Sequence, residues 1–276
     1  MMAPSSGGFG GPAMKRLNIG DAVHDGWTAF CRAPWSFVLF ALLLTGLQIL
    51  LQPLQEQVLR GARGETLGVG DWMLFLVGLA ASLAVSCWGN VGMVRGAWQA
   101  LAGERPTLGS LLRWDGSGFR RVFGAWIALT TLLSIPLLVV VVVLAGAIGV
   151  AWLLERGGLQ LTEATLGLPL LLVGLLVILL LGLMLVALLY YGVNQQFISQ
   201  IALLENRTGM ATVQRGRGLV DPQWLLLLLL GVIKLLLLAM GLVTFGMGLM
   251  VAWPVSSCIS TAAYRHLVKP AFVQEP

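Results

Sequence analysis

Six long apolar runs alternate with short polar stretches along the chain. They cover about 34–51, 72–94, 122–154, 168–191, 223–242 and 246–267. A bilayer core is spanned by about 20 apolar residues in helical form, so each run predicts a membrane helix. The last two come from one stretch, Trp224 to Ala263, too long for a single crossing. The three glycines of "GLVTFGMG" (241–248) divide it. Strands are excluded, because an open sheet edge has no partner in lipid. The pattern therefore predicts an all-α fold, a polytopic transmembrane helical bundle of six helices arranged as three hairpins. The membrane domain is expected over 18–269. A disordered Gly/Ser/Pro-rich tail over 1–17, with no apolar stretch typical of a signal peptide, precedes it, and a short tail over 270–276 follows.

Polar positions refine the ends. Pro34 and Pro222 fall where a first helical turn lacks an N–H requirement, and Asp221 is placed to cap the fifth helix. Trp35, Trp72, Trp126, Trp152 and Trp224 lie near predicted ends, at the depth aromatic belts occupy. Pro136 and Pro254 sit inside helices and free the carbonyls of Leu132 and Met250, which predicts kinks.

The segments between crossings carry their own periodicity. In "LNIGDAVHDGWTAF" (17–30), Ile19, Ala22, Val23, Gly26, Trp27 and Phe30 share one helical face, with Asp21, His24, Asp25 and Thr28 opposite. That spacing predicts a short helix lying in the membrane interface. "TLGSLLRWDGSGFRRVF" (107–123) repeats the pattern more loosely, with a glycine break at 116–118, and "MATVQRGRGLV" (210–220) more weakly. Interfacial helix, membrane helix, outer link, membrane helix then forms a unit occurring three times. "QALAGERP" (99–106) and "IALLENRT" (201–208) share Ala, Leu and Arg at one offset, as do Arg113 and Arg215. Divergent repeats and coincident helix-end composition both account for this.

Composition agrees with the pattern. Of 276 residues, 58% are apolar and 11% charged, against about 45–50% and 25% in soluble domains. The net charge of +5 does not indicate nucleic acid, because the basic residues lie in the links. Six crossings put Lys15, Arg16, Arg32, Arg95, Arg105, Arg113, Arg120, Arg121, Arg207, Arg215, Arg217, Arg265 and Lys269 on one side. Only Arg60, Arg63 and Arg156 fall on the other. The positive-inside rule then predicts cytoplasmic N- and C-termini. The lipid bilayer is the expected partner, with anionic head groups at the basic cytoplasmic face. No protein partner can be named.

The N-terminal "IGDAVHDGWTAFCRAPWSF" and C-terminal "LVTFGMGLMVAWPVSSCISTAAYRHL" resemble the opening and closing segments of bacterial six-helix membrane families of unknown function. Those families are similar to the membrane domain attached to some glycerophosphoryl diester phosphodiesterases. The matching positions are Gly246, Gly248, Pro254, Tyr264 and Arg265. The resemblance covers the two ends, and the middle through helix count. The chain has no phosphodiesterase domain, so it implies a membrane module and not that activity.

Candidate chemistry is sparse. His24 and His266 fall in no metal-binding pattern, and Cys31, Cys87 and Cys258 share no Cys-x-x-Cys spacing. No carboxylate lies mid-helix in an apolar run, which leaves no candidate for catalysis, cofactor or metal. Ser82, Ser86 and Asn90, spaced by four, share a face that either lines a path or bonds a neighbouring helix. "YYGVNQQF" (190–197) reads as a wet helix end or a head-group grip. Lys234, inside "GVIKLLLLAM", would cost about 2.5–3.5 kcal/mol facing lipid. It is expected to point into the bundle, toward the carbonyls freed by Pro136 or Pro254, or toward Ser134, Ser86 or Asn90. These form the candidate midplane polar site, Lys234, Asn90, Ser86 and Ser134, structural or substrate-binding. The leading expectation is a non-enzymatic membrane protein with a scaffold, lipid-associated or assembly role; the alternative is a small-molecule or ion transporter using Lys234.

Overall fold

A computed structural model describes residues 17–56, 63, 68–156, 163–243 and 248–268. The expected tails, the expected glycine turn with Gly246, and most of the expected outer links lie outside these residues. All regular elements described are helical. In order they are α1 (Ile19–Arg32), α2 (Pro34–Gln55), α3 (Val69–Leu101), α4 (Leu108–Leu112), α5 (Gly116–Arg156), α6 (Glu163–Asn194), α7 (Ile198–Leu204) and α8 (Gly209–Val220). A 3-10 turn, Asp221–Gln223, leads into α9 (Trp224–Val243), and α10 (Leu249–Val268) closes the bundle.

Among the described residues, five helical stretches are long and apolar enough to cross a membrane: Pro34–Gln55, Val69–Leu101, Gly116–Val150, Leu171–Leu204 and Gly209–Val243. The chain is thus a multi-pass membrane protein by length and composition. α10 does not reach that hydropathy. Its 20 residues would extend about 30 Å, but they include Ser256, Ser257, Ser260, Thr261, Arg265 and His266. It is the most enclosed of the long helices, packed against α1, α2, α3 and α9. Low hydropathy and burial fit together: a helix enclosed by its neighbours can carry hydroxyls bonded to its own backbone, as Ser260 Oγ donates to the Ser256 carbonyl and Thr261 Oγ1 to that of Ser257, both at 2.9 Å.

Consecutive long helices pack on each other, α2 on α3, α5 on α6 and α9 on α10. α6 is the least covered, its leucines facing outward from Leu171 to Leu189. Phe37, Phe40 and Leu44 of α2, Met93 and Ala97 of α3, and Val255, Ile259 and Tyr264 of α10 belong to the larger core. A smaller core joins Val91 of α3, Val122 and Ala125 of α5, and Ile198 and Val213.

Three expectations are corrected. The apolar stripe of α1 packs on α10 instead of being left for lipid. Ala22, Gly26 and Phe30 are buried, while Trp27 is half-exposed. A Cβ on Gly26 would stand 2.5 Å from the Cα of Ile259, so the absence of a side chain there is what lets the helices approach. The glycines at 116–118 are not a break but the first turn of α5. Asp115 supplies the reason, its Oδ1 accepting the N–H groups of Ser117 and Gly118 at 3.1 and 3.0 Å. Asp221 caps no helix through its side chain, whose Oδ1 instead accepts from Tyr190 Oη and Asn194 Nδ2.

Polar contacts gather one end of the bundle. Arg32 and Arg265 each donate to a carbonyl at the C-terminus of α3, those of Ala100 and Leu101, where a helix favours cations. Leu17 N–H donates to Gln223 Oε1 at 2.7 Å, His266 Nε2 lies 2.8 Å from Asp25 Oδ2, and Arg95 pairs with Asp115 at 2.8 Å. Residues 17–32, 95–121, 190–223 and 264–268 therefore lie together at that end.

Candidate functional site

The polar side chains buried in the bundle collect around two cavities. The larger, about 460 Å³, lies between α3, α5, α6, α7 and α10. Asn90, Ser199, Gln200, Ser256, Ser257 and Ser260 give it a polar wall, and Val94, Leu129, Leu133 and Leu188 an apolar one. The smaller, about 350 Å³, lies between α2, α3 and α10, with Thr45, Gln48, Ser82 and Ser86 on its wall. Asn90 and Trp253 line both.

The sequence pattern explains these walls. Ser82, Ser86 and Asn90 are spaced by four on α3 and share one face; all three line the smaller cavity. Gln48 of α2 crosses to them. Its Nε2 donates to Ser86 Oγ at 2.9 Å, and Ser82 Oγ donates to its Oε1 at 2.5 Å. Part of this seam thus holds α2 to α3. Ser256 and Ser260 repeat the spacing on α10. That signal was present in "SSCIST" but is easily read as helix-packing residues alone.

The side chains of Ser199, Gln200, Ser256 and Ser257 make no hydrogen bond among the described residues, although Gln200 is only 4% exposed. Gln195 donates its Nε2 to the Val213 carbonyl at 3.2 Å, and its buried Oε1 has no partner. Buried polar groups are nearly always bonded, and leaving one bare costs about 1–3 kcal/mol. Ser199, Gln200, Ser256 and Ser257 thus offer hydroxyl and amide groups to the cavity, whereas the Gln195 amide lies against α8.

Lys234 points inward from α9. Its ammonium donates to Ser260 Oγ at 2.8 Å and to Gln196 Oε1 at 3.4 Å, and Gln196 in turn donates to the Leu227 carbonyl. Both partners line the larger cavity. They replace every partner expected from the sequence. Ser134 faces away and donates to the Thr131 carbonyl of its own turn, and Asn90 donates to the Ser86 carbonyl. Proximity decides the difference: α9 runs beside α10 and beneath the turn after α6, whereas Ser134 is on α5 and Ser86 faces α2.

The 190–197 segment is not a wet end. Asn194 and Gln195 are buried, and the segment ties α6 to the Asp221 turn, α8 and α9. One resemblance position, Tyr264, falls in a separate polar cluster. Tyr264 Oη donates to Glu205 Oε1 at 2.9 Å, and Arg207 and Arg215 both reach Glu205 at 3.0 Å. Arg265 holds the end of α3, Gly248 accepts the first N–H groups of α10, and Pro254 is buried within it. Among the described residues no three His, Cys, Asp or Glu side chains form a metal-binding group.

No protein family, curated protein or solved structure matches the chain. The site therefore has to be read from its own chemistry.

Proposed function

We propose that this is a non-enzymatic bacterial inner-membrane protein whose role is lipid-associated, with the larger cavity holding the polar head of a membrane amphiphile. The carrying observation is the two-sided wall: unbonded hydroxyls and amides at Ser199, Gln200, Ser256 and Ser257 opposite Leu129, Leu133 and Leu188. Such a wall suits a molecule with one wet and one oily part. The wall carries amides, hydroxyls, aromatics and aliphatics, and no Asp, Glu, His or Cys, which favours binding over acid–base chemistry.

The proposal includes six crossings, with α10 as the sixth, shielded from lipid by its neighbours. Supporting this, the basic segments at 95–121 and 190–223 meet both α1 and the end of α10 at one pole of the bundle. With the positive-inside rule, that pole and both termini are cytoplasmic. The likeness to six-helix families fits the same count. Thiol labelling of cysteines placed at 160 and 272 tests it. Opposite accessibility is expected; labelling from the same side removes the six-crossing arrangement.

Lipid extraction from protein purified in mild detergent tests the role. A bound amphiphile in about stoichiometric amount is expected from the native chain. Leu133→Trp, which fills the cavity, should reduce it without unfolding the protein. Equal recovery from both would remove the reading. A second reading, a small-molecule transporter, is favoured by one observation: the two cavities abut at Asn90 and Trp253. Uptake of a solute into reconstituted vesicles would separate it from the first.

A further inference from the structure

We infer that the larger cavity selects an oxyanion, and that this anion is the counter-charge Lys234 lacks. The inference rests on the reading of the cavity as an amphiphile site and names the chemistry of the head group. Lys234 is a cation set between α9 and α10, and its two partners, Ser260 and Gln196, are neutral. An ammonium carries three donors, so one is left over. The nearest carboxylates in the surrounding elements are engaged elsewhere. Asp221 accepts from Tyr190 and Asn194, and Glu205 is shared by Arg207, Arg215 and Tyr264. No Asp or Glu lines either cavity.

An uncompensated charge in a low-dielectric interior is costly, and a bound ion of opposite sign relieves that cost. The wall supplies what such an ion requires. Ser256, Ser257 and Ser199 offer hydroxyl donors, Gln200 an amide N–H, and Lys234 a positive field through Ser260. Hydroxyl and amide donors set in a positive field favour phosphate or carboxylate oxygens. A cationic head group would meet the ammonium with no carboxylate to offset it. Lys234 stands behind the wall, so it acts as a selectivity residue and not as part of the cavity's shape.

The shared chemistry, an oxyanion, can arrive on a lipid or on a soluble phosphate ester. The test uses the full chain in detergent, titrated with dioleoyl-phosphatidylglycerol or dioleoylglycerol and read by native mass spectrometry. The two lipids share tails and differ in the phosphoglycerol group, whose oxyanion part is the part that should depend on Lys234. A parallel arm uses glycerol 3-phosphate, which has no tail. The native chain should favour phosphatidylglycerol by about tenfold or more, as expected of one buried charge acting across the wall. Lys234→Gln should abolish the preference while still binding dioleoylglycerol, and Lys234→Arg should restore it. No preference in the native chain, or an undiminished one in Lys234→Gln, overturns the inference and leaves the amphiphile reading standing. Failure of both lipids with Lys234-dependent binding of glycerol 3-phosphate overturns the amphiphile reading and keeps the oxyanion. Failure of all three probes overturns both.

Discussion

Gly26 of α1 and Ile259 of α10 lie so close that a Cβ on Gly26 would come within 2.5 Å of the Ile259 backbone. Because the obstacle is main chain, no rotamer change relieves it. Gly26→Val should cost about 1–3 kcal/mol through overpacking. Thermal unfolding in detergent should show the loss, and limited proteolysis should cut the α1 region first. A variant with native stability and native protection would mean that α1 does not dock on α10 as described.

Glu205 holds two arginines and a tyrosine with a side chain only 7% exposed. Glu205→Gln keeps the size but removes the charge that Arg207 and Arg215 share. A loss of about 1–3 kcal/mol is expected. Arg207→Gln should change stability by at most about 1 kcal/mol, because that arginine is half-exposed and water screens its pair. Equal effects in the two variants would place the strength of the cluster in surface attraction and not in the buried carboxylate.

Acid should loosen the start of α5. The N–H of Gly118 first, then the Ser117 hydroxyl, hold the Asp115 carboxyl down to about 2. An unfolded aspartate titrates near 3.9. The folded value is the lower one, so the stabilisation is present in full above about pH 4. It is lost as pH falls through about 2. The difference in melting temperature between the native chain and Asp115→Asn should be constant near neutrality and shrink toward zero between pH 4 and 2. A difference that does not change over that window would exclude capping by the ionised carboxylate.

Trp253 borders both cavities with Asn90. Trp253→Ala should join them and let polar reagents travel further along α3. In a chain with Cys31 replaced by serine, a cysteine at Ser82 should react with a water-soluble methanethiosulfonate several-fold faster once Trp253 is truncated. An unchanged rate would show that another side chain separates the two spaces.

The helices were legible in the sequence because an apolar run is a local signal, and a membrane leaves few alternatives to helix. The start of α5 was not, since glycine propensity argued for a break and one capping aspartate outweighed it. The seam on α3 was visible from the spacing of Ser82, Ser86 and Asn90, because a shared face depends on the helix alone. The partners of Lys234 were hidden. Ser260 and Gln196 lie 26 and 38 residues away, and which helix neighbours α9 is decided by packing that no short stretch records. For the same reason the stripe of α1 was assigned to lipid. An apolar face shows that it must be covered and does not show by what.

The contact between Asp25 and His266 spans 241 residues of chain. A ribosome releases α1 first and α10 last, so the first helix made waits through nearly all of synthesis for the surface it covers. During that interval α1 has no α10 to cover its apolar stripe, and Ala22, Gly26 and Phe30 stay bare. Long-range closure of this kind is slow and exposes sticky surface. Chains cut short before Leu249 should therefore be degraded in the membrane and not accumulate as a smaller bundle. A fusion that delays release of the C-terminus should lengthen the lifetime of the half-built form.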